Sequence, residues 1–256
     1  MVTVWFVLAA IGPLIAPYSA HEFQEHANLE PPSRVFLCGT DQYGRDILSR
    51  IIVGSRSVIL VASLATAFAV SCGAIVGLVS GYNGGLFDEV VMRLLDGLLS
   101  IPTLLSALVL LSVLGAGTRN VILAIGIINV SVIARVARSA TLGVVSLEYV
   151  EAAKVRGESA LYIIFREILP NILGPLMVEG SVRFSDAILT SAALGFLGMG
   201  VRPPTPDWGL MVNEGRNFVI AAPWLPIFPG LAIASLVVGV NLLVEGFQEV
   251  FVIEPV

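Results

Sequence analysis

Residues 58–80 read VILVASLATAFAVSCGAIVGLVS, a run without a single charged side chain and rich in small residues. A helix needs about 20 apolar residues to cross the roughly 30 Å hydrocarbon core of a bilayer. This run meets that length, so it predicts a transmembrane helix. Working outward, five further stretches are similarly poor in charge. Val2 to Tyr18 is uncharged, Leu94 to Gly115 holds only Asp96, and Asn120 to Ala137 only Arg135. Asn171 to Gly200 carries Glu179, Arg183 and Asp186, while Val219 to Val244 is uncharged, with Pro223, Pro226 and Pro229 at its start. The expectation is an all-α, polytopic membrane protein with six transmembrane helices and both termini on one side.

Composition agrees. Charged residues make up 13% of the 256 positions, against about 25% in an ordinary soluble domain, and hydrophobic residues make up 56%. The mean hydropathy of +0.91 is more than a water-exposed surface can carry, which excludes a soluble globular enzyme. A net charge of -5 argues against nucleic acid, whose phosphates call for a basic stripe. Lys154 is the one lysine, between Ala153 and Val155, so the chain has no Gly-Lys-Ser/Thr phosphate loop for ATP. His21 and His26 stand alone in a polar stretch, which speaks against a metal site.

Two polar blocks interrupt the spans. Asp41 to Arg56 places Ile47, Leu48, Ile51 and Ile52 at helical spacing, with Asp41/Arg45 and Asp46/Arg50 four apart, and predicts a helix lying in the membrane interface before the second span. Arg138 to Pro170 reads as helix, turn, helix. Gly157 breaks it, and Leu161, Ile164, Phe165 and Ile168 gather on one side of a second helix that stops before Pro170. Such a knob is too small for a domain and suits insertion into a groove on a partner. Lys and Arg are too evenly divided between the loops to orient the chain.

The second block resembles the EAA loop of permease subunits in ABC-type importers: Glu151-Ala152-Ala153, then Gly157, then Ile168-Leu169-Pro170. Gly39-Thr40-Asp41 with Gly44-Arg45-Asp46 and Ser49-Arg50, Ile101-Pro102, Leu194-Gly195-Phe196-Leu197-Gly198 and Pro203-Pro204-Thr205-Pro206 with Trp208-Gly209 narrow the likeness to the dipeptide, oligopeptide and nickel branch. The resemblance implies that the loop faces the cytoplasm, that both termini are cytoplasmic, and that the membrane is a bacterial or archaeal inner membrane. It also implies a second permease subunit in a heterodimer, two ATPase subunits that bind ATP and Mg, and an extracytoplasmic solute-binding protein. This chain itself then holds no cofactor and performs no catalysis. Residues 1–57 would form the first span and extracytoplasmic segment, 58–248 a five-helix core including the loop 138–170, and 249–256 a short tail. Glu151, Ala152, Ala153, Gly157, Glu167, Leu169 and Pro170 become the surface coupled to the ATPase, with Ala152 and Ala153 small enough for close approach. Glu167 stands where the branch commonly has His, and the chain begins almost inside its first span, as if a leader were missing.

Within the spans, Glu179, Arg183 and Asp186 share one helix face. They are candidates for the translocation path, or a neutralised Glu179/Arg183 pair packed against a partner. Arg93 and Asp96 are expected to pair with each other. The prolines before Trp208 make a stiff loop, and the Trp208 ring is expected at the outer interface. The function expected is import of peptides or related small solutes by alternating access. The competing reading is an ion-coupled secondary transporter with Glu179 and Asp186 as relay carboxylates.

Overall fold

Gly73, Gly77 and Gly81 recur every four residues, which puts them on one face of a helix. In the computed structural model, which describes residues 1–24 and 27–251, that face is pressed against a second helix. A Cβ added at Gly73 would lie 2.6 Å from Ile133 Cβ, one at Gly77 2.5 Å from Ala137 Cβ, and one at Gly81 2.8 Å from Thr141 Cβ. Both residue series ascend together, so the helices run parallel. Small residues are what allow such backbones to approach in a membrane, where lipid tails remove the hydrophobic drive for helices to associate.

These two helices are α2 (Ile47–Asn83) and α5 (Thr118–Val144), and the others pack around them. In order, the rest are α1 (Val2–Ile15), α3 (Gly85–Leu99), α4 (Thr103–Leu114), α6 (Glu148–Val155), α7 (Ala160–Phe196), α8 (Trp208–Gly215) and α9 (Trp224–Phe251). Among the described residues the only β-type pairing is an isolated bridge, Thr40 to Asp46. His26 and residues 252–256 of the expected tail lie outside the described residues.

Four helices, α2, α5, α7 and α9, are long and apolar enough to cross a bilayer. The six expected spans are not all of this kind. The third is broken: α3 and α4 meet at 92°. Pro102 supplies no backbone donor and disfavours helix at Ile101, so the turn forms inside the apolar run 94–115. The first is a helix of 14 residues, about 21 Å long. It packs on α2 through Gly12 against Ile52, and its Trp5 Nε1 donates to Ser235 Oγ of α9 at 3.0 Å.

The expected interfacial helix over 41–56 does not exist as a separate element. From Ile47 onward these residues are the first turns of the 37-residue α2, capped by Asp46, which accepts from Ser49 N at 2.8 Å. Asp46 therefore does not pair with Arg50. Asp41, Arg45 and Arg50 are buried, because Arg45 and Arg50 together hold Asp41 and Glu214. The Arg45 Nε to Asp41 Oδ2 distance is 2.6 Å, and the two arginines reach Glu214 Oε2 at 3.2 and 3.1 Å. Two cations and two anions cancel, which makes their removal from water tolerable and joins the segment before α2 to α8.

Trp208 is fully buried and does not sit at the outer interface as expected. Its Nε1 donates to the Ile51 carbonyl at 2.9 Å, and its ring meets Trp5 edge to face with centroids 4.7 Å apart. Asp207 caps α8 by accepting from Leu210 N at 3.1 Å. Burial pushes its carboxyl up to about 6, against the pull of the Leu210 and Gly209 amides.

The α2/α5 seam yields a paired prediction. Gly77→Ala introduces a methyl into filled space and should cost about 1–3 kcal/mol by overpacking. Gly143→Ala lies on the same helix pair with nothing within 4 Å of its Cβ, so relief of helix-interior glycine should leave stability equal or higher. Thermal unfolding of the two purified variants in detergent checks the difference in sign.

Candidate functional site

The knob between α5 and α7 is built from a short helix seated on the seam. In α6, Val150 and Ala153 turn inward and join Ile163, Ile164 and Ile168 against Ala74 and Leu78 of α2 and Ile133 and Ala137 of α5. The outer side of α6 is exposed: Glu151, Ala152, Lys154 and Val155, the last at 88% of its full accessibility.

Gly157 makes the turn. Its φ is +80°, and it stands just past the end of α6, with Gly157 N donating to Lys154 O at 3.0 Å and Glu158 N to Ala153 O at 3.2 Å. That pattern satisfies the last carbonyls of the helix and favours glycine at the left-handed position. Ser159 then starts α7, accepting from Tyr162 N at 3.3 Å.

The second arm does not stop before Pro170. It runs on into the long α7 through a π-helical turn over Ile163–Ile168. Pro170 cannot donate to the turn below it, and a wider turn at this point accommodates the ring while the helix continues. The knob and a membrane-spanning helix are thus one piece.

The predicted residues therefore divide. Glu151, Ala152 and Gly157 are exposed on the outer side, and Pro170 is exposed at the base of the span. Ala153 is fully buried and serves the chain's own packing, so the close approach expected of both alanines is left to Ala152. Leu169 packs against the base. Glu167 faces Arg156 at 3.6 Å, and Arg156 also faces Glu158 at 3.7 Å, so its charge is shared across the turn. Burial, and after it Glu167, pushes the Tyr149 phenol above its ordinary value. Lys154 lies over the Tyr82 ring of α2 at 5.7 Å.

On α7, Arg183 bridges both neighbours: Nε to Glu179 Oε1 at 2.7 Å and Nη1 to Asp186 Oδ2 at 2.5 Å. The face is half-buried. Arg183 thus sets one positive charge between the two carboxylates. Arg93 and Asp96 do not pair with each other. Arg93 takes Glu89 at 2.7 Å, and Asp96 takes Arg135 of α5.

Sequence reasoning did not find Glu214 or Asp88. Each completes an ion pair with an arginine far away in the chain, Glu214 with Arg45 and Arg50 and Asp88 with Arg138, and no local spacing marks such partners.

Residues 73–252 match the family model described as the binding-protein-dependent transport system inner membrane component. The chain is 40% identical over 249 residues to a dipeptide transport system permease protein, DppC, of Haemophilus influenzae, covering 95% of this chain and 84% of that protein. It is 37% identical over 236 residues to a glutathione transport system permease protein, GsiD, of Pectobacterium atrosepticum, covering 92% and 78%. Among solved structures, the MetNI methionine ABC transporter in an inward-facing conformation superposes with a TM-score of 0.61 at 15% identity, over 79% of this chain and 96% of that one. At that identity the likeness is one of fold.

The turn itself can be tested. Nothing lies within 4 Å of a Cβ at Gly157, so a substitution there meets only backbone strain. Gly157→Val should cost about 1–3 kcal/mol locally, while Gly157→Asn, which tolerates the left-handed region, should cost less. Limited trypsin digestion should cut at Lys154 and Arg156 faster in the Val variant than in the Asn variant or the parent.

Proposed function

Because the chain belongs to the family of binding-protein-dependent transport system inner membrane components, we propose that this permease subunit of an ABC importer carries peptides or related small solutes, nickel chelates among them, into the cytoplasm. The peptide class follows from the relatives' names. The observation that carries the mechanism is α6: an exposed outer face on a buried apolar base, continuous through Gly157 with a membrane-spanning helix.

In this reading α6 is the coupling helix. Glu151 and Ala152 enter a cleft on one ATPase subunit, Ala153 fixes α6 to the seam, and Gly157 sets the turn. Glu167, Leu169 and Pro170 form the rim where the knob joins α7. ATP and Mg reside on two partner ATPase subunits, and their closure pushes α6. Since α6, α2, α5 and α7 share one packed base, the push tilts the spans as a body and alternates access. ATP drives the change through its different affinity for the two states. An extracytoplasmic solute-binding protein delivers the cargo, and a second permease subunit completes the path as a heterodimer.

The same reading places the knob in the cytoplasm of a bacterial cell, with the protein in the inner membrane and both termini cytoplasmic. It takes α1 as a short first span and α3 with α4 as the third, giving six crossings. Residues 1–57, 58–248 and 249–256 then serve as peripheral span and outer segment, core, and tail. Glu179, Arg183 and Asp186 contribute a net-acidic face to the path, with Arg183 holding both carboxylates in position.

Reconstitution with the partner subunits and binding protein in liposomes tests this. Dipeptide uptake should require ATP. Ala152→Trp, a bulky change on the exposed face, should reduce uptake by at least an order of magnitude while the assembled complex still purifies intact. Uptake without ATP, or uptake untouched by Ala152→Trp, contradicts the proposal.

A further inference from the structure

Arg50 is 2% exposed, so each of its N–H groups needs a partner that the interior can supply. Nη1 donates to Asp41 Oδ2 and Nη2 to Glu214 Oε2 at 3.1 Å, but Nε is buried without an acceptor. Gln42 presents the complement: its Oε1 is buried without a donor. Both residues line the same cavity, of about 10 Å³, which Asp41, Glu214, Met211 and Leu225 help to enclose. The cavity therefore lies where the segment before α2, α2 itself, α8 and α9 come together.

Gln42 is set in place by its neighbours. Asp41 Oδ1 accepts from Tyr43 N at 2.8 Å and from Arg45 N at 3.0 Å, which folds the chain into a turn around Gln42. A buried polar group left unpaired costs more than an average hydrogen bond gains. A donor and an acceptor stranded on one cavity call for a molecule that bridges them.

Size and charge select that molecule. A water needs roughly 10–15 Å³ of cavity and two to four polar partners. An inorganic anion such as phosphate is too large and would face the Asp41 and Glu214 carboxylates. A metal cation would face the Nε–H of Arg50. The two arginines and two carboxylates already cancel, so the occupant has to be neutral. It has to accept from one side and donate to the other.

We propose that this cavity binds a single water molecule, which accepts from Arg50 Nε–H and donates to Gln42 Oε1. Glu214 borders the same cavity and is the third polar group within it. The water completes the donor set of Arg50 and extends the ion cluster to the turn at Gln42. The segment before α2 is thereby joined to α2 and α8 by a hydrated contact as well as by direct ion pairs. This holds whatever solute is transported.

Radiolytic footprinting tests the site. A short X-ray pulse splits water into hydroxyl radicals, and a buried side chain is oxidised only where a water lies against it. The assembled transporter is mixed with water labelled with oxygen-18 just before the pulse, and oxidation is read residue by residue by mass spectrometry. Leu225 and Leu236 both belong to α9 and are 4% and 0% exposed, but only Leu225 lines the cavity. Leu225 should be oxidised several-fold faster than Leu236. Its product should carry ordinary oxygen soon after mixing, because a bound water exchanges late. Gln42→Leu removes the acceptor and should bring Leu225 down to the rate of Leu236; where that variant does not assemble, the isotope reading on the parent protein decides. Leu225 as unreactive as Leu236 in the parent, a Leu225 product labelled as fast as surface residues, or a Gln42→Leu variant oxidised like the parent would each overturn the assignment.

Discussion

The contact between α2 and α5 is the constraint on which the rest of the molecule depends. Gly73, Gly77 and Gly81 remove side chains from one face of α2, and Ile133, Ala137 and Thr141 of α5 fill the space. In lipid the gain comes from dispersion over closely fitted surfaces and not from escape from water. The seam's end toward the knob offers Ala74, Leu78, Ile133 and Ala137, on which Val150, Ala153 and Ile168 settle. The proposed coupling surface is thus an extension of the membrane packing, and past the turn at Gly157 α7 leads back into the bilayer.

The other end of the bundle is held by different physics. There Asp41, Glu214, Arg45 and Arg50 cancel one another's charge and link the segment before α2 to α8. A buried ion cluster contributes little net stability when complete, yet losing one member leaves a charge without compensation, so the geometry is held tightly. Trp208, donating to the Ile51 carbonyl and packed on Trp5, adds an apolar pin beside it. Dispersion thus fixes one end of the bundle and charge compensation the other.

Much of this was legible in the sequence because hydropathy reports directly on the membrane. The apolar cores of α2, α5, α7 and α9 are located correctly, and Gly157 marks the turn of the knob. What was hidden depends on partners distant in the chain. The alternation in 41–56 looks like a surface helix until Glu214 is brought to Arg45 and Arg50, and then the same charges are interior. The break at Pro102 lies in a run whose hydropathy is continuous, since composition does not record a bend. Ala152 and Ala153 are chemically alike, and only the placement of Val150 and Ile168 decides that Ala153 faces inward. The continuity of α7 through Pro170 required a π-helical turn, which leaves no mark in residue type.

The central claim is that the exposed side of α6 is where the ATP-consuming partner acts on this chain. Val155, the most exposed apolar residue of that helix, reports on it most directly. A photocrosslinking amino acid at Val155, irradiated in the assembled transporter, should form its main covalent adduct with an ATPase subunit. Adducts with lipid alone, or none with an ATPase subunit while ATP-driven uptake continues, would contradict the account.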